Sequence, residues 1–343
     1  MILVNNPGTW SAVYPQLLHA EWNGWTYTDT IFPFFLFVAG VAMALSFGKR
    51  RAAGSAPGAL ARHLAGRAAA IIGLGLALGL AGFFAFHKEH MRFPGVLQRI
   101  GVCVLVAGAI VLFGKARAAA VSAAALLLAY WALMGTGPLD PEGNLAARID
   151  HAVFGVHTWK PGWDPEGLLS TLPAIATTLL GVLAGERLRA DTPAPRKIRD
   201  LFAAGAIAAA AGLLWGRVFP INKGLWTSSY ALLMSGLACA SLAACVWAVD
   251  VRGWKRWALP LVWLGRNAIA AFTLSTLGAI ALIAIKIAGP DGKPRSLWTA
   301  IYRTAFDRFA DPRLGSLLFA LAYLALWLVV SGVLYRKQIF IRL

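Results

Sequence analysis

Residues 5–37, NNPGTWSAVYPQLLHAEWNGWTYTDTIFPFFLF, contain both kinds of sequence from which the whole chain is built. The first part is polar and holds Asn5, Asn6, Tyr14, His19, Glu21, Trp22 and Asn23. From about Thr28 the stretch becomes an apolar helix, opened by Asp29. Beyond it the chain is almost entirely hydrophobic span and short connector. Of its 343 residues, 59% are hydrophobic and 14% charged, against ~25% charged in a soluble domain. Apolar runs of about 18 residues or more recur along the chain. The prediction is an all-α polytopic transmembrane helix bundle, with residues 1–343 forming one domain.

Nine spans are expected, over residues 28–47, 65–86, 95–113, 116–134, 168–188, 201–218, 226–249, 267–287 and 314–335. Several are rich in Gly and Ala, as in GLGLALGLAG at 73–82, which lets helix backbones pack closely. The opening MILV reads as the last turn of a further span, so ten spans are expected in a complete protein. No basic region of a cleavable signal peptide precedes it. Cys103, Cys239 and Cys245 lie in apolar runs and make neither a metal-ligand spacing nor a disulfide framework.

The net charge is +17. Lys and Arg sit mostly in the short connectors between apolar runs, which argues for a topology signal and against nucleic-acid binding. Connectors 48–67, 114–117, 185–200, 250–266 and the tail from 336 hold 19 Lys/Arg and 4 Asp/Glu. Those on the other side hold 13 and 11, of which 286–313 supplies 6 Lys/Arg. Basic residues mark the cytoplasmic side. The His19 segment, residues 1–27, is therefore expected on the outer, periplasmic or luminal face, and the C-terminus inside. Residues 252–266, RGWKRWALPLVWLGR, read as a basic, Trp-rich interfacial segment.

Chemistry is expected at the outer ends of the helices. Besides the His19 segment, RFPGVLQR (92–99) puts Gln98 and Arg99 one turn into a span. WDPEGLLST (163–171) puts Asp164 and Glu166 at a helix start, and FPINKGLWTSSY (219–230) brings Asn222 and Lys223 before a hydroxyl-rich helix start. Plainer readings stand beside these. Asp29, Asp164 and Glu166 suit helix N-termini as caps, and Trp22, Trp25, Trp163 and Trp226 suit interfacial anchors. Arg99 either snorkels outward or meets an interior anion, because a charge within a span needs a partner. His19 is the only histidine of the opening segment. His63, His87, His90, His151 and His157 form no strong metal spacing, and no Walker A, GxSxG or GxGxxG motif is found. No metal is expected.

Six stretches carry a family resemblance: MILVNNPG (1–8), HAEWNGWTYTDTIFPFFLFVAG (19–40), RFPGVLQRIG (92–101), WDPEGLLST (163–171), FPINKGLWTSSY (219–230) and LGRNAI (264–269). In this order they resemble the transmembrane heparan-α-glucosaminide N-acetyltransferase family and its bacterial NagX-like relatives. The resemblance implies acetyl transfer from acetyl-CoA, as co-substrate, to an amino sugar or glycan at a membrane, here a bacterial inner membrane. The family's essential His falls on His19, as general base or acetyl-carrying nucleophile. Its active-site Asn falls on Asn5, which would orient substrate or stabilise an oxyanion. Family members usually carry an Asp-x-x-Arg-Gly element before the MILVN stretch, and it is absent here. Around these residues, Arg99, Gln98, Lys223 and Asn222 are candidates for substrate or CoA contacts. Asp29 or Glu166 would orient His19 or pair with Arg99, and Arg266 with Asn267 would meet CoA phosphates on the inner side. Membrane lipid is the other expected partner, and a homo-oligomer is left open. Two alternative functions are a sugar permease without acyl transfer and an O-acyltransferase of cell-envelope glycans.

Overall fold

The computed structural model describes residues 1–160, 162–290 and 292–341. Pro161, Asp291, Arg342 and Leu343, which fall in the connectors counted above, lie outside the described residues. The chain is a helix bundle, as expected from its hydropathy. Among the described residues seven helices are long and apolar enough to cross a membrane, or eight if one bent pair counts as a span.

The opening MILV forms a single turn, α1 (Ile2–Asn5). The first long helix, α2 (Tyr27–Ala52), starts at Thr26 with Asp29 in its first turn and ends on Lys49, Arg50 and Arg51, charges that match the helix dipole at both ends. Then come α3 (Pro57–Ala85), α4 (Val96–Met134), the short amphipathic α5 (Leu145–Phe154) and α6 (Thr171–Arg189). Helices α7 (Ala194–Trp215) and α8 (Ser228–Val246) follow, and α8 runs on as a π turn, Trp247–Val251.

Helix α4 carries two spans, Val96–Gly114 and Ala116–Met134. If straight, its Arg99 and Tyr130 would be roughly 46 Å apart along the axis. Yet the Arg99 guanidinium lies 5.2 Å from the Trp226 ring, and the Tyr130 hydroxyl donates to the adjoining Leu225 carbonyl at 2.5 Å. The run must therefore fold back between its two spans. At the bend Arg51 donates to the carbonyls of Val111 and Leu112. Both free ends of α4 thus lie at the His19 end of the bundle.

The expected span at 168–188 is α6, which is not among the candidate membrane helices. It is buried along most of its length, with Thr177 and Thr178 wholly inside. A helix surrounded by other helices needs no lipid-facing surface, so it tolerates hydroxyls bonded to their own backbone. Its closest crossing is with α2. There Gly40 lies against the Thr178 carbonyl and Gly181 against the Phe37 carbonyl, and any Cβ would collide with backbone. Two backbones approach this closely only where small residues face each other.

The expected last two spans are α10 (Ala268–Ala284) and α12 (Pro312–Arg336). Between them lie a two-stranded hairpin, β1 (Lys286–Ala288) and β2 (Pro294–Ser296), and α11 (Leu297–Ala305). Before α10, α9 (Leu259–Arg266) is turned 81° from it. Trp254, Trp257 and Leu261 are exposed around α9, among Arg252, Lys255 and Arg256. That pattern suits a segment lying along a membrane surface.

Substituting Gly181→Leu should overpack the α2–α6 crossing and destabilise the detergent-solubilised protein by about 1–3 kcal/mol or more. A thermal midpoint unchanged from wild type would show that the two backbones do not meet there.

Candidate active site

The site is built on the start of α2. The Asp29 side chain is fully buried. Its Oδ2 accepts from the backbone N–H of Ala20 (3.1 Å) and of Thr26 (2.9 Å) and from the Thr26 hydroxyl (3.1 Å). Its Oδ1 lies 2.6 Å from His19 Nδ1. A carboxylate only accepts, so neutral His19 carries its proton on Nδ1 and its lone pair on Nε2. The Tyr230 hydroxyl donates to the Asp29 carbonyl at 2.6 Å, tying the α2 start to α8.

The segment that carries His19 is stapled to the 219–227 turn. Gly24 N–H donates to the Ile221 carbonyl at 2.7 Å, and Asn222 Nδ2 to Asn23 Oδ1 at 3.2 Å. Gly24 has φ +97°, a left-handed conformation that favours glycine. Asn222 Oδ1 also accepts from Leu225 N–H at 2.8 Å. Asn222 is thus buried and fully engaged in shaping the turn that presents Lys223.

His19 opens on a cavity of about 1080 Å³. Asn5, Glu21 and Trp22 line it from the opening segment, Arg92 and Val96 from the head of α4, and Arg148 and His151 from α5. Trp159, Lys160, Trp163 and Glu166 close it from the 156–170 segment, and Lys223 and Gly224 from the turn before α8. Trp22 and Trp163 meet edge-on at 5.6 Å, and Trp22 Nε1 donates to the Leu139 carbonyl. These two tryptophans are cavity wall, not interfacial anchors; Trp25, 42% exposed, suits the anchor reading.

Arg92 organises the wall opposite. Its Nε donates to Asp164 Oδ2 at 2.7 Å and its Nη2 to Asp164 Oδ1 at 2.5 Å and to Glu166 Oε2. Burial works against the Arg92 charge, but Asp164 and Glu166 together hold its pKa above the ordinary value. Burial likewise pushes Glu166 up, but Lys223, Arg92 and Arg99 outweigh it and hold the carboxyl below its usual range.

Asp164 and Glu166 do not start a helix. Asp164 also accepts from the Trp159 and Glu166 backbone N–H groups, so its oxygens are spent on Arg92 and the loop, and α6 begins only at Thr171.

Arg99 neither snorkels nor meets a carboxylate. It is buried, does not line the cavity, and donates through Nη2 to the Gly167 carbonyl (3.0 Å) and Ser170 Oγ (2.5 Å). Its guanidinium lies over Trp226, which is 0% exposed and so is core rather than an interfacial anchor. Between Asp29 and Glu166, Asp29 orients His19; neither forms an ion pair with Arg99. Gln98 donates to the Phe93 carbonyl at the head of α4.

Arg266 and Asn267 lie away from the cavity. Arg266 stacks on Phe340, while the Asn267 amide donates to the Ile339 carbonyl and accepts from Ile341 N–H. They fasten the chain's end at the α9–α10 bend. Sequence reasoning passed over Arg92, Arg148, Lys160 and Trp159, and gave His151 little weight. The RFPG and WDPEG stretches do contain both partners of the Arg92 cluster, but not the fact that they meet.

The family described as "Heparan-alpha-glucosaminide N-acetyltransferase, catalytic" matches residues 8–217, which include every member of the His19–Asp29 and Arg92–Asp164–Glu166 groups. Among curated relatives, the chain is 27% identical to the heparan-alpha-glucosaminide N-acetyltransferase of Homo sapiens over 79% of its length. It is 25% identical to that of Mus musculus over 99% of its length. It spans 50% and 58% of the lengths of these two relatives.

Replacing Arg92 by Ala should leave Asp164 buried without its counter-ion and lower stability by about 3 kcal/mol. The Glu166 contribution is fully present above its ordinary pKa of 4.5 and is lost as pH falls through its lower folded value. The deficit of Arg92→Ala, measured by denaturation, should therefore shrink in strong acid. A deficit equal at all pH values would mean the carboxylates are not what Arg92 stabilises.

Proposed function

Because the chain belongs to the heparan-alpha-glucosaminide N-acetyltransferase catalytic family, we propose that it is a membrane-embedded acetyltransferase. In this reading it moves an acetyl group from acetyl-CoA to the amine of an amino sugar or related glycan. The observation that carries the reading is the His19–Asp29 pair opening on the 1080 Å³ cavity. A base held by a buried carboxylate, with its second nitrogen free, is the arrangement amine acylation requires.

The neutral amine attacks the thioester carbonyl, and a C–N bond forms. His19 Nε2 takes the amine proton, while Asp29 stabilises the imidazolium across the 2.6 Å contact. The tetrahedral intermediate collapses with loss of the C–S bond, and the imidazolium returns the proton to the leaving thiolate. Asn5 lines the same cavity and supplies an amide N–H for the developing oxyanion. Lys223, with Arg148 and Lys160, provides the cationic surface for anionic groups of either substrate, while the Arg92 charge is matched by Asp164 and Glu166. Asp29 is a positioning residue, because its oxygens are all spent within the protein.

We also place the His19 end of the bundle on the outer side of the membrane and the Lys/Arg-rich end in the cytoplasm. The 19 to 13 split of basic residues between the two sets of connectors supports this.

In membranes carrying the full chain, His19→Ala should abolish transfer of labelled acetyl from acetyl-CoA to glucosamine, and Asp29→Asn should reduce it about 10²–10⁴-fold. Wild-type turnover by His19→Ala would sink the assignment. Label retained on the protein without acceptor, and lost in His19→Ala, would replace the base with a covalent acetyl-imidazole route. For sidedness, Ser11→Cys should react with an impermeant maleimide added outside intact cells, and Ser55→Cys should not. The reverse pattern would invert the topology.

A further inference from the structure

Asp150 takes no part in the chemistry above, yet it is a buried carboxylate close behind the cavity wall. It lies on α5 and is 1% exposed. Its Oδ1 accepts from Leu168 N–H at 2.8 Å, while its Oδ2, near the Asp164 backbone N–H, makes no well-formed hydrogen bond among the described residues. Gly167 lies so close to this carboxylate that a Cβ there would overlap it. Arg99 holds the same turn through the Gly167 carbonyl and Ser170 Oγ, and its Nε and Nη1 likewise lack partners. The front of the turn is held by Arg92 through Asp164 and Glu166. Residues 164–170 are thus gripped by three charged groups, Arg92 and Arg99 from the head of α4 and Asp150 from α5. Of this turn, Pro165 and Glu166 line the His19 cavity.

We propose that Asp150 is a positioning residue that, through Leu168 N–H, fixes the 164–170 turn and with it the place of Glu166 in the cavity. The reading of that cavity as the place of acetyl transfer is the premise for its effect on activity, though not for the grip itself.

The charges around Asp150 make the grip sensitive to acid. From the turn Asp164 repels it, from the first arm of α4 Arg99 attracts it, and the Tyr130 hydroxyl approaches from the second arm. On α5 itself Arg148 and His151 point to the cavity. Burial is the largest influence and, with the Asp164 charge, pushes the Asp150 pKa up to about 6 against the pull of Leu168 N–H, Arg99 and the Asp164 backbone N–H. The folded value lies above the ordinary 3.8. Ionised Asp150 therefore costs the fold stability at neutral pH, and that cost disappears as pH falls below the ordinary value. Protonation relieves the fold but weakens the grip, since a neutral carboxyl is the poorer acceptor for Leu168 N–H.

The experiment is amide hydrogen exchange at Leu168 in the full chain, corrected for intrinsic rate, well above and well below pH 6. Wild type should lose about tenfold in protection on the acid side. Asp150→Asn should start from the lower protection and not respond to pH. Gly167→Ala, which displaces the carboxylate without removing charge, should also lower protection; it stands in if Asp150→Asn does not fold. Transfer activity should fall about tenfold in both variants. Wild-type protection with an unchanged pH response in the variants would overturn the proposal, as would a wild-type chain whose Leu168 does not respond. If wild type shows that response but transfers no acetyl, the functional reading fails and the grip stands.

Discussion

A single buried carboxylate fixes the His19 end of this bundle. Asp29 lies in the first turn of a span with its side chain out of water, where an ionised group without partners would be strongly disfavoured. It is tolerated because His19, Ala20 N–H, Thr26 N–H and the Thr26 hydroxyl all meet it. Those partners come from residues 19–26, so the condition for burying the charge is that the opening segment folds back over the helix start. The position of His19 follows from satisfying Asp29. The Tyr230 bond to the Asp29 carbonyl then makes the arrangement depend on α8 as well.

The same logic is repeated on the opposite wall, with the sign of the charge reversed. Arg92 lies just before a span and is matched by Asp164 and Glu166 from just before α6. Arg99, one turn into α4, is held by a carbonyl, a hydroxyl and the Trp226 face and forms no ion pair with a carboxylate among the described residues. A charge at that depth is sustainable only because α6 and α8 surround it with protein instead of lipid. That accounts for the character of α6. It can carry hydroxyls and approach α2 through glycines because it is enclosed.

Hydropathy made the helices legible, although α3 and α7 begin seven or eight residues before the expected spans and the expected span at 168–188 is the enclosed α6, not a candidate membrane helix. Where reading fell short, the missing information was a pairing between distant residues. Arg92 and Glu166 are 74 positions apart, and nothing in the local pattern of either announces the other, so Asp164 passed for a helix cap. Trp226 passed for an anchor because apolar periodicity does not separate a core aromatic from an interfacial one. Arg266 and Asn267 meet Phe340 and the carbonyl of Ile339 within the chain, contacts that carry no polar side-chain signal in the sequence. Asp29 was legible in part. Its capping role follows from position, but capping and orienting His19 are two uses of one carboxylate, and only the fold-back of residues 19–26 joins them.

The difference in exposure within the pair bears most directly on mechanism. The Asp29 side chain is 0% exposed and the His19 side chain 52%. Were both exposed, water would screen their attraction and the imidazole would lose its fixed orientation. Were both buried, Nε2 could not reach a substrate that arrives through a wide cavity. With the carboxylate inside the first turn of α2 and the imidazole at the cavity wall, orientation is set in a low-dielectric site while Nε2, the proposed base, stays accessible. A loop alone could not bury Asp29, and a span alone could not expose His19. The proposed chemistry therefore calls for the junction between a polar segment and an apolar helix, which is the composition of residues 5–37.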